Sequence, residues 1–188
     1  MLSRIATTSL RRMPVARASV ASRSFTGTVD ETFTVADEAW KKSGYGQIDY
    51  TIDEDATVYD AVKKFAAFNI GCLVITAKDG AMVGVVSERD YVSKIALLGR
   101  TSKETGVKEI ATLSPNLVTA ALDESVESCM SKMLNKDIRH LPLVGKSGDV
   151  VGMISIKDLV KTVVQEKEKT IRVLSDFALG KGGHYGSE

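Results

Sequence analysis

The sequence is poor in the residues on which metal, disulfide and membrane proteins depend. Its 188 residues include only two cysteines and two histidines. Cys72 and Cys129 form no Cys-x-x-Cys pair, and neither His140 nor His184 lies at a metal-ligand spacing from them. Apolar runs of about 18 residues, the length of a membrane-spanning helix, are also missing. These absences argue against a metal site, a disulfide framework and a membrane protein, and they favour two free, buried thiols.

An excess of charge of one sign is missing as well. Lysine and arginine number 25 against 24 acidic residues, so the formal net charge is +1 at pH 7. Proteins that bind nucleic acid through a broad cationic face carry a larger positive excess, and we therefore expect no nucleic-acid partner. Apolar residues make up 44% of the chain, which is enough for one substantial core at this length. The composition is that of a globular protein.

The first 29 residues differ from the rest of the chain. They contain five arginines and many serines, threonines and alanines, and the first acidic residue is Asp30. An arginine-rich, acid-poor segment without an apolar core of about 7 to 15 residues is typical of a mitochondrial transit peptide; a disordered basic tail is the alternative interpretation. We predict a transit peptide over residues 1–29, a linker over residues 30–44 and a location in the mitochondrial matrix.

The remainder of the chain repeats itself after 68 residues. The shift needs no gap over about forty residues, and an internal repeat of this kind predicts two copies of one structural unit. Both copies contain the pattern Gly-x-x-Ser-x-x-Asp. The equivalent pairs are Gly84 and Gly152, Ser87 and Ser155, and Asp90 and Asp158.

Each copy predicts the order strand, helix, strand, strand, helix. The first helix has apolar residues at steps of three and four, and Thr57 or Ser125 stands at its N-cap position. The two strands that follow are joined by turns with Asp-Gly or Ser-Gly at the centre. A unit this small cannot cover its own sheet, so the two copies are expected to pack together around a shared cleft with pseudo-twofold symmetry.

The predicted fold class is therefore α/β (α+β), with two βαββα repeats. We place the repeats at residues 45–98 and 117–178, the second with an extended C-terminal helix. An inter-repeat linker over residues 99–116 and a flexible tail over residues 179–188 complete the predicted organisation.

The Ser-x-x-Asp pattern at the start of each second helix has two interpretations. It is a capping box, in which the serine hydroxyl and the aspartate satisfy free backbone N–H groups. The same helix N-terminus can bind a phosphate, with the serine as a further donor and with Arg89 or Lys157 as a neighbouring cation. The aspartate would then accept hydrogen bonds from a ribose diol. The pattern alone does not separate these interpretations.

Two units ending in "GVVSERD" and "GMISIKD", with "DIRHLPLV" before the second, resemble a pair of cystathionine-β-synthase (CBS) domains, also called a Bateman module. The resemblance covers about residues 45–177, and the organisation is similar to stand-alone mitochondrial CBS-pair proteins of plants and to bacterial relatives. It implies that the cleft between the copies binds AMP, ADP, ATP, NAD or S-adenosylmethionine as a regulatory ligand, with no obligatory cofactor.

The resemblance also implies roles for individual residues. Ser87 and Ser155 become phosphate contacts, with Arg89 and Lys157 as cations beside them, and Asp90 and Asp158 become ribose contacts. Copy one has Gly71 and Cys72 where copy two has Arg139 and His140, so the two half-sites are unequal. The residues expected to line the cleft around the base are Asp49, Tyr50, Thr51, Val118, Thr119, Ala120, Arg139 and His140.

The last helix predicts a protein partner. Its apolar residues run from Leu159 to Phe177, beyond the length needed to cover one repeat, so a second copy of the chain is the simplest partner. The resemblance likewise implies a flat homodimer. Because no nucleophile, base and orienting group converge, we expect no enzyme. The favoured hypothesis is a ligand-sensing regulatory protein; the alternative is a ligand-independent adaptor that regulates a matrix enzyme or a thioredoxin-type redox protein.

Overall fold

The computed structural model describes residues 34–179. The predicted transit peptide, residues 30–33 of the predicted linker and residues 180–188 of the predicted tail lie outside the described residues. In chain order the helices and strands are α1 (Ala36–Lys41), β1 (Thr51–Asp53), α2 (Val58–Phe68), β2 (Cys72–Thr76), β3 (Met82–Ser87), α3 (Glu88–Tyr91), β4 (Thr112–Leu113), β5 (Ala120–Ala121), α4 (Val126–Asn135), β6 (His140–Val144), β7 (Val150–Ser155) and α5 (Ile156–Ala178).

The two predicted repeats form a four-stranded and a three-stranded sheet, and three strands of each have the same topology. In the first, β1 is parallel to β2 and β2 is antiparallel to β3; in the second, β5, β6 and β7 repeat this arrangement. The register is also the same, since Cys72 pairs with Ser87 and His140 pairs with Ser155. There are two clusters of buried apolar residues, one for each repeat, and Met153 of β7 belongs to the cluster of the first repeat. The predicted mixed α/β fold with two βαββα units is confirmed.

The helices begin where the capping residues predict. Thr57 and Ser125 accept hydrogen bonds from backbone N–H groups at the starts of α2 and α4. The second helix of repeat 1 differs from the prediction, because α3 ends at Tyr91 and continues as a π-helical stretch, Val92–Ala96. Its counterpart α5 runs without a break for 23 residues.

Both segments predicted as linkers are folded over residues 34–44 and 99–116, which are the parts that the structure describes. Residues 34–47, which we call the strap, contain α1 and a 3-10 turn, Gly44–Gln47, and dock on repeat 2. Ala36 and Ala39 are fully buried there. A helix of six residues makes less than two turns, so its apolar spacing is too short to be recognised in the sequence. The predicted linker over residues 99–116 likewise buries Val107 and Ile110 and pairs β4 with β3.

The strap and the inter-repeat segment dock by the same hydrogen bonds. The Val126 N–H donates to the Thr34 carbonyl at 2.9 Å, and the Val58 N–H donates to the Thr105 carbonyl at 2.8 Å. The segment before repeat 1 is therefore fixed to repeat 2, and the segment before repeat 2 is fixed to repeat 1. This crossing ties the two repeats together.

The glycines of the repeated pattern make room for these crossing segments. A Cβ on Gly84 would lie 2.6 Å from Leu113 Cδ2, and a Cβ on Gly152 would lie 2.7 Å from Trp40 Cδ2. Contacts this short are sterically forbidden, so any side chain would displace β4 or the strap. The pattern needs glycine at these positions for packing.

Candidate functional site

Both Ser-x-x-Asp junctions form complete capping boxes. At the start of α5 the Ser155 N–H and hydroxyl donate to Asp158 Oδ2 at 2.8 and 2.6 Å, and the Asp158 N–H donates to Ser155 Oγ at 3.3 Å. Ser87 and Asp90 make the same three bonds at 3.0, 2.6 and 3.3 Å. The capping interpretation is confirmed at both junctions. Each capping box uses only Oδ2 of its aspartate, so Oδ1 remains available for other contacts.

The larger cleft, of about 390 Å³, lies at the α5 junction. Repeat 2 contributes Ser155, Lys157, Asp158 and Lys161, while repeat 1 contributes the end of α2, Gly71 and Glu88. The strap forms a further wall. Its residues in the cleft are Lys42, Gly44 and Tyr45.

The smaller cleft, of about 210 Å³, lies at the α3 junction. It holds Ser87, Arg89 and Asp90 from repeat 1 together with residues 137–140 of repeat 2. Both clefts are thus built from both repeats, in agreement with the expected shared site. Three residues line both clefts and lie between them: Gly71, Arg139 and His140.

The cations of the two clefts differ in their partners. Arg89 in the smaller cleft donates to the Asp137 carbonyl at 2.8 Å and to its carboxylate at 3.0 Å. In the larger cleft, no ion pair within residues 34–179 involves Lys42, Arg139, Lys157 or Lys161. Since its acidic lining residues are Glu88 and Asp158, the larger cleft has an excess of positive charge. It is the better site for an anionic ligand.

The two aspartates differ in how many of their carboxylate oxygens are already hydrogen-bonded, and this difference also favours the larger cleft. Asp90 Oδ1 is bound by the Lys94 ammonium at 2.7 Å, so both of its oxygens are engaged. Asp158 Oδ2 receives a further bond from the Ser43 hydroxyl at 3.1 Å, whereas Oδ1 has no donor among the residues that the structure describes. The position equivalent to Lys94 in repeat 2 is Thr162, which instead bonds the Asp158 carbonyl. Asp158 therefore keeps one oxygen for a ligand.

His140 lies between the clefts as an uncharged ring. Burial lowers its pKa to about 4, and the charge of Arg139 acts in the same direction. Tyr45 packs edge-on against the imidazole, with the ring centroids 5.9 Å apart. Gly71 leaves room for the imidazole, since a Cβ there would lie 3.2 Å from His140 Cε1 and 3.3 Å from Glu88 Oε2. His140 offers the clefts a neutral donor or acceptor at neutral pH.

Six of the residues predicted to line the cleft lie outside both clefts. Asp49 binds Lys64 and Thr51, and Tyr50 packs on Trp40. In repeat 2 the Thr119 carbonyl accepts from Lys132, and Val118 and Ala120 belong to the second core. The reason is that the chain reaches the clefts earlier than predicted, at Lys42 to Ile48 and at Thr112. The other predicted site residues are Ser87, Arg89, Asp90, Arg139, His140, Ser155, Lys157 and Asp158, and all of these line a cleft.

Four further residues at the larger cleft were not predicted from the sequence: Lys42, Ser43, Tyr45 and Lys161. Lys42 and Ser43 lie in the predicted linker over residues 30–44, which falls outside the repeated region, and Tyr45 is the first residue of predicted repeat 1. Lys161 follows Asp158 at a three-residue step along α5, so the helix period places it on the same side as the repeated pattern. That signal was present in the sequence.

Neither thiol is activated as a nucleophile, although Cys72 lines the smaller cleft. Both cysteines are free and buried, as predicted. Burial raises the pKa of Cys72 to about 12 and that of Cys129 to about 11, so both are protonated at neutral pH. Between residues 34 and 179 there is no cluster of three or more side chains suited to a metal ion, and no helix is long and apolar enough to cross a membrane.

Comparison with known proteins gives consistent matches over both repeats. The family model described as CBS domain matches residues 47–97 and 107–165. The CBS domain-containing protein CBSX3, mitochondrial, of Arabidopsis thaliana is 38% identical over 128 residues, which are 67% of this chain and 62% of that protein. Two other CBS domain-containing proteins of Arabidopsis thaliana are matched over only 25% and 23% of their own length.

Solved structures of similar proteins give the same result. A protein with CBS domains from Burkholderia ambifaria is 36% identical with a TM-score of 0.64, over 70% of this chain and 95% of that one. A CBS domain protein from Pyrobaculum aerophilum, complexed with AMP, is 28% identical with a TM-score of 0.58, over 66% of this chain and 89% of that one.

Proposed function

The chain belongs to the CBS domain family, and from this premise we propose that it is a non-catalytic regulatory protein that binds an adenosine-containing ligand between its two repeats. The ligand class comprises AMP, ADP, ATP, NAD and S-adenosylmethionine. Binding would change the relative pose of the repeats and hence the affinity for a partner protein, which requires the ligand to prefer one pose over the other.

The observation that carries this proposal is the free oxygen of Asp158 in a cleft with four cations that form no ion pair inside the described part of the chain. A ribose diol needs an acceptor, and a phosphate needs cations or free N–H donors. The larger cleft supplies both. In the smaller cleft Lys94 and Asp137 already neutralise the corresponding groups. We therefore assign the ligand to the larger cleft.

AMP is the natural probe for the test. The Pyrobaculum aerophilum relative was solved with AMP, and a volume of about 390 Å³ lies within the range of small-molecule sites. Its phosphate would be placed near Ser155 and Lys157, and its ribose near Asp158.

Isothermal titration calorimetry with AMP tests the proposal. We expect one AMP per chain, and we expect Asp158→Ala to weaken binding about tenfold or more, because it removes a charged acceptor from the ligand. Asp90→Ala is the matched control. It removes the equivalent capping box, worth about 0.5 to 2 kcal/mol of stability, and should leave AMP affinity unchanged. Equal affinity of all three proteins, or absence of any binding heat in the wild type, would refute the proposal.

A ligand-independent adaptor is the second candidate function. It is favoured by the two capping boxes, which satisfy the Ser-x-x-Asp groups without a ligand. The partner classes are a matrix enzyme or a thioredoxin-type redox protein. With both thiols buried and protonated, such a partner would be regulated by surface contact and not by disulfide exchange. Absence of AMP binding in the calorimetry would favour this function.

We also propose that the chain forms a homodimer through the end of α5. Ile171, Leu174 and Phe177 are 65%, 62% and 79% exposed. Apolar side chains spaced along one helix in this way are stabilised when they are covered by another chain. Light scattering should give twice the mass of the chain.

The proposed location is the mitochondrial matrix. The arginine-rich leader and the mitochondrial relative from Arabidopsis thaliana support it.

A further inference from the structure

Ser43 connects the strap to the aspartate of the larger cleft. Its side chain is almost completely buried, at 6% exposure. The hydroxyl donates to Asp158 Oδ2 at 3.1 Å and accepts from the Tyr45 N–H at 3.2 Å. A residue outside both repeats thus contacts the carboxylate that the proposed ligand would use.

The bond from Ser43 completes the coordination of one carboxylate oxygen. Asp158 Oδ2 already accepts from the N–H and the hydroxyl of Ser155, so Ser43 is its third donor. An oxygen with three donors has no capacity for a ligand, and any diol must use Oδ1. Because donors on one oxygen fix the plane of the carboxylate, they also fix the direction of the other oxygen.

The smaller cleft lacks this arrangement. Within the described chain, the donors to Asp90 come from Ser87 and Lys94, and none comes from the segment before repeat 2. The contact from Ser43 is therefore specific to the larger cleft, where the ligand is assigned.

We propose that Ser43 is a positioning residue of the ligand site: it holds Asp158 so that Oδ1 accepts the ribose diol, and it thereby couples docking of the strap to ligand binding. This inference rests on the proposed function. By linkage, a ligand that needs the docked strap also stabilises the docked strap by the same factor.

The strap contains its own reporter. Trp40 is the only tryptophan of the chain, and its ring packs on Gly152 and edge-on against Tyr50. Any change in strap docking alters the surroundings of this ring, so AMP is expected to change its fluorescence. It should also slow amide hydrogen exchange over residues 36–46.

The decisive experiment compares AMP with 2′-deoxy-AMP, which lacks one hydroxyl of the diol. For wild type we expect a preference for AMP of about tenfold, since loss of a hydrogen bond to a charged group costs about this factor. Ser43→Ala should reduce this preference to about threefold or less, because Asp158 is no longer held in position. Ser43→Thr keeps the hydroxyl and should retain the preference.

Two controls separate positioning from general loss of stability. Ser125→Ala removes the N-cap of α4 in the same repeat and should leave the preference unchanged. Ser43→Cys keeps the shape of the side chain with a weak donor, and it tests the same point if the alanine variant does not fold. We expect it to reduce the preference as alanine does.

The outcomes are distinguishable. If wild type binds neither nucleotide, the proposed function fails, and the inference fails with it. If wild type prefers AMP and Ser43→Ala or Ser43→Cys retains the whole preference, the proposed function stands and the role of Ser43 is refuted. Equal weakening for both nucleotides refutes it too, because a merely structural role would have that effect.

Discussion

We expect His140 to make the stability of this protein sensitive to mild acid. The ring is largely buried between the two clefts, and burial lowers its pKa from 6.5 to about 4, with a smaller contribution in the same direction from Arg139. The negative charge of Asp158 raises the pKa of His140 and so offsets only part of this lowering. Replacing His140 by glutamine removes the titrating group while keeping a polar side chain at the position.

The size of the effect follows from the two pKa values. Between pH 6.5 and pH 4 the unfolded chain binds a proton at this residue and the folded chain does not, so folding becomes less favourable as the pH falls. Above about pH 6.5 both states are neutral and nothing is lost. The full loss below pH 4 is about 3 kcal/mol, since a difference of one pKa unit is worth about 1.4 kcal/mol. At pH 4.5 it amounts to about 2 to 3 kcal/mol.

Urea unfolding of wild type and His140→Gln at pH 7 and pH 4.5 measures this loss. Both proteins share every other titrating group, His184 included, so those contributions cancel in the comparison. We expect the free energy of unfolding to fall about 2 to 3 kcal/mol further in wild type than in the variant. Parallel losses, differing by less than about 1 kcal/mol, would refute the argument that burial keeps His140 neutral.

Two further predictions concern the asymmetry and the strap. Lys94→Thr introduces the residue found at the equivalent position of repeat 2 and frees Asp90 Oδ1, so calorimetry with AMP should show a second site per chain; unchanged stoichiometry would exclude Lys94 as the obstacle. Gly152→Ala places a Cβ 2.7 Å from Trp40 and should destabilise the fold by about 1 to 3 kcal/mol in urea unfolding. Gly44→Ala, with no atom within 4 Å of the added Cβ, is its control and should cost less than about 1 kcal/mol. Equal stability of the two variants would contradict the packing role of Gly152.

Local signals in the sequence were sufficient for the repeats and their caps. The N-caps at Thr57 and Ser125, the two hairpins and the capping boxes depend on residues within a few positions of one another, and all of them are present. The repeat itself, read as an ungapped shift, predicted that both copies would have the same topology. Eight of the predicted site residues line the clefts. Six of them belong to the repeated junctions, and the other two, Arg139 and His140, stand at the start of β6.

The strap could not be predicted in this way. Its docking bonds match those of the inter-repeat segment at a spacing of 71 residues, from Thr34 to Thr105, and not at the spacing of 68 that relates the repeats. The shift of three residues removes it from the alignment of the two copies. Its helix is also too short for a recognisable apolar period.

The sequence by itself determined the two-repeat architecture and the serine and aspartate that each repeat brings to the cleft, because repetition and capping are encoded by residues close together in the chain. Tertiary structure alone decided that a residue of the strap reaches the carboxylate of Asp158. Ser43 stands 115 positions from Asp158, and a contact over such a distance exists only once the chain has folded, whereas Lys94 follows Asp90 at a four-residue step along the same helix.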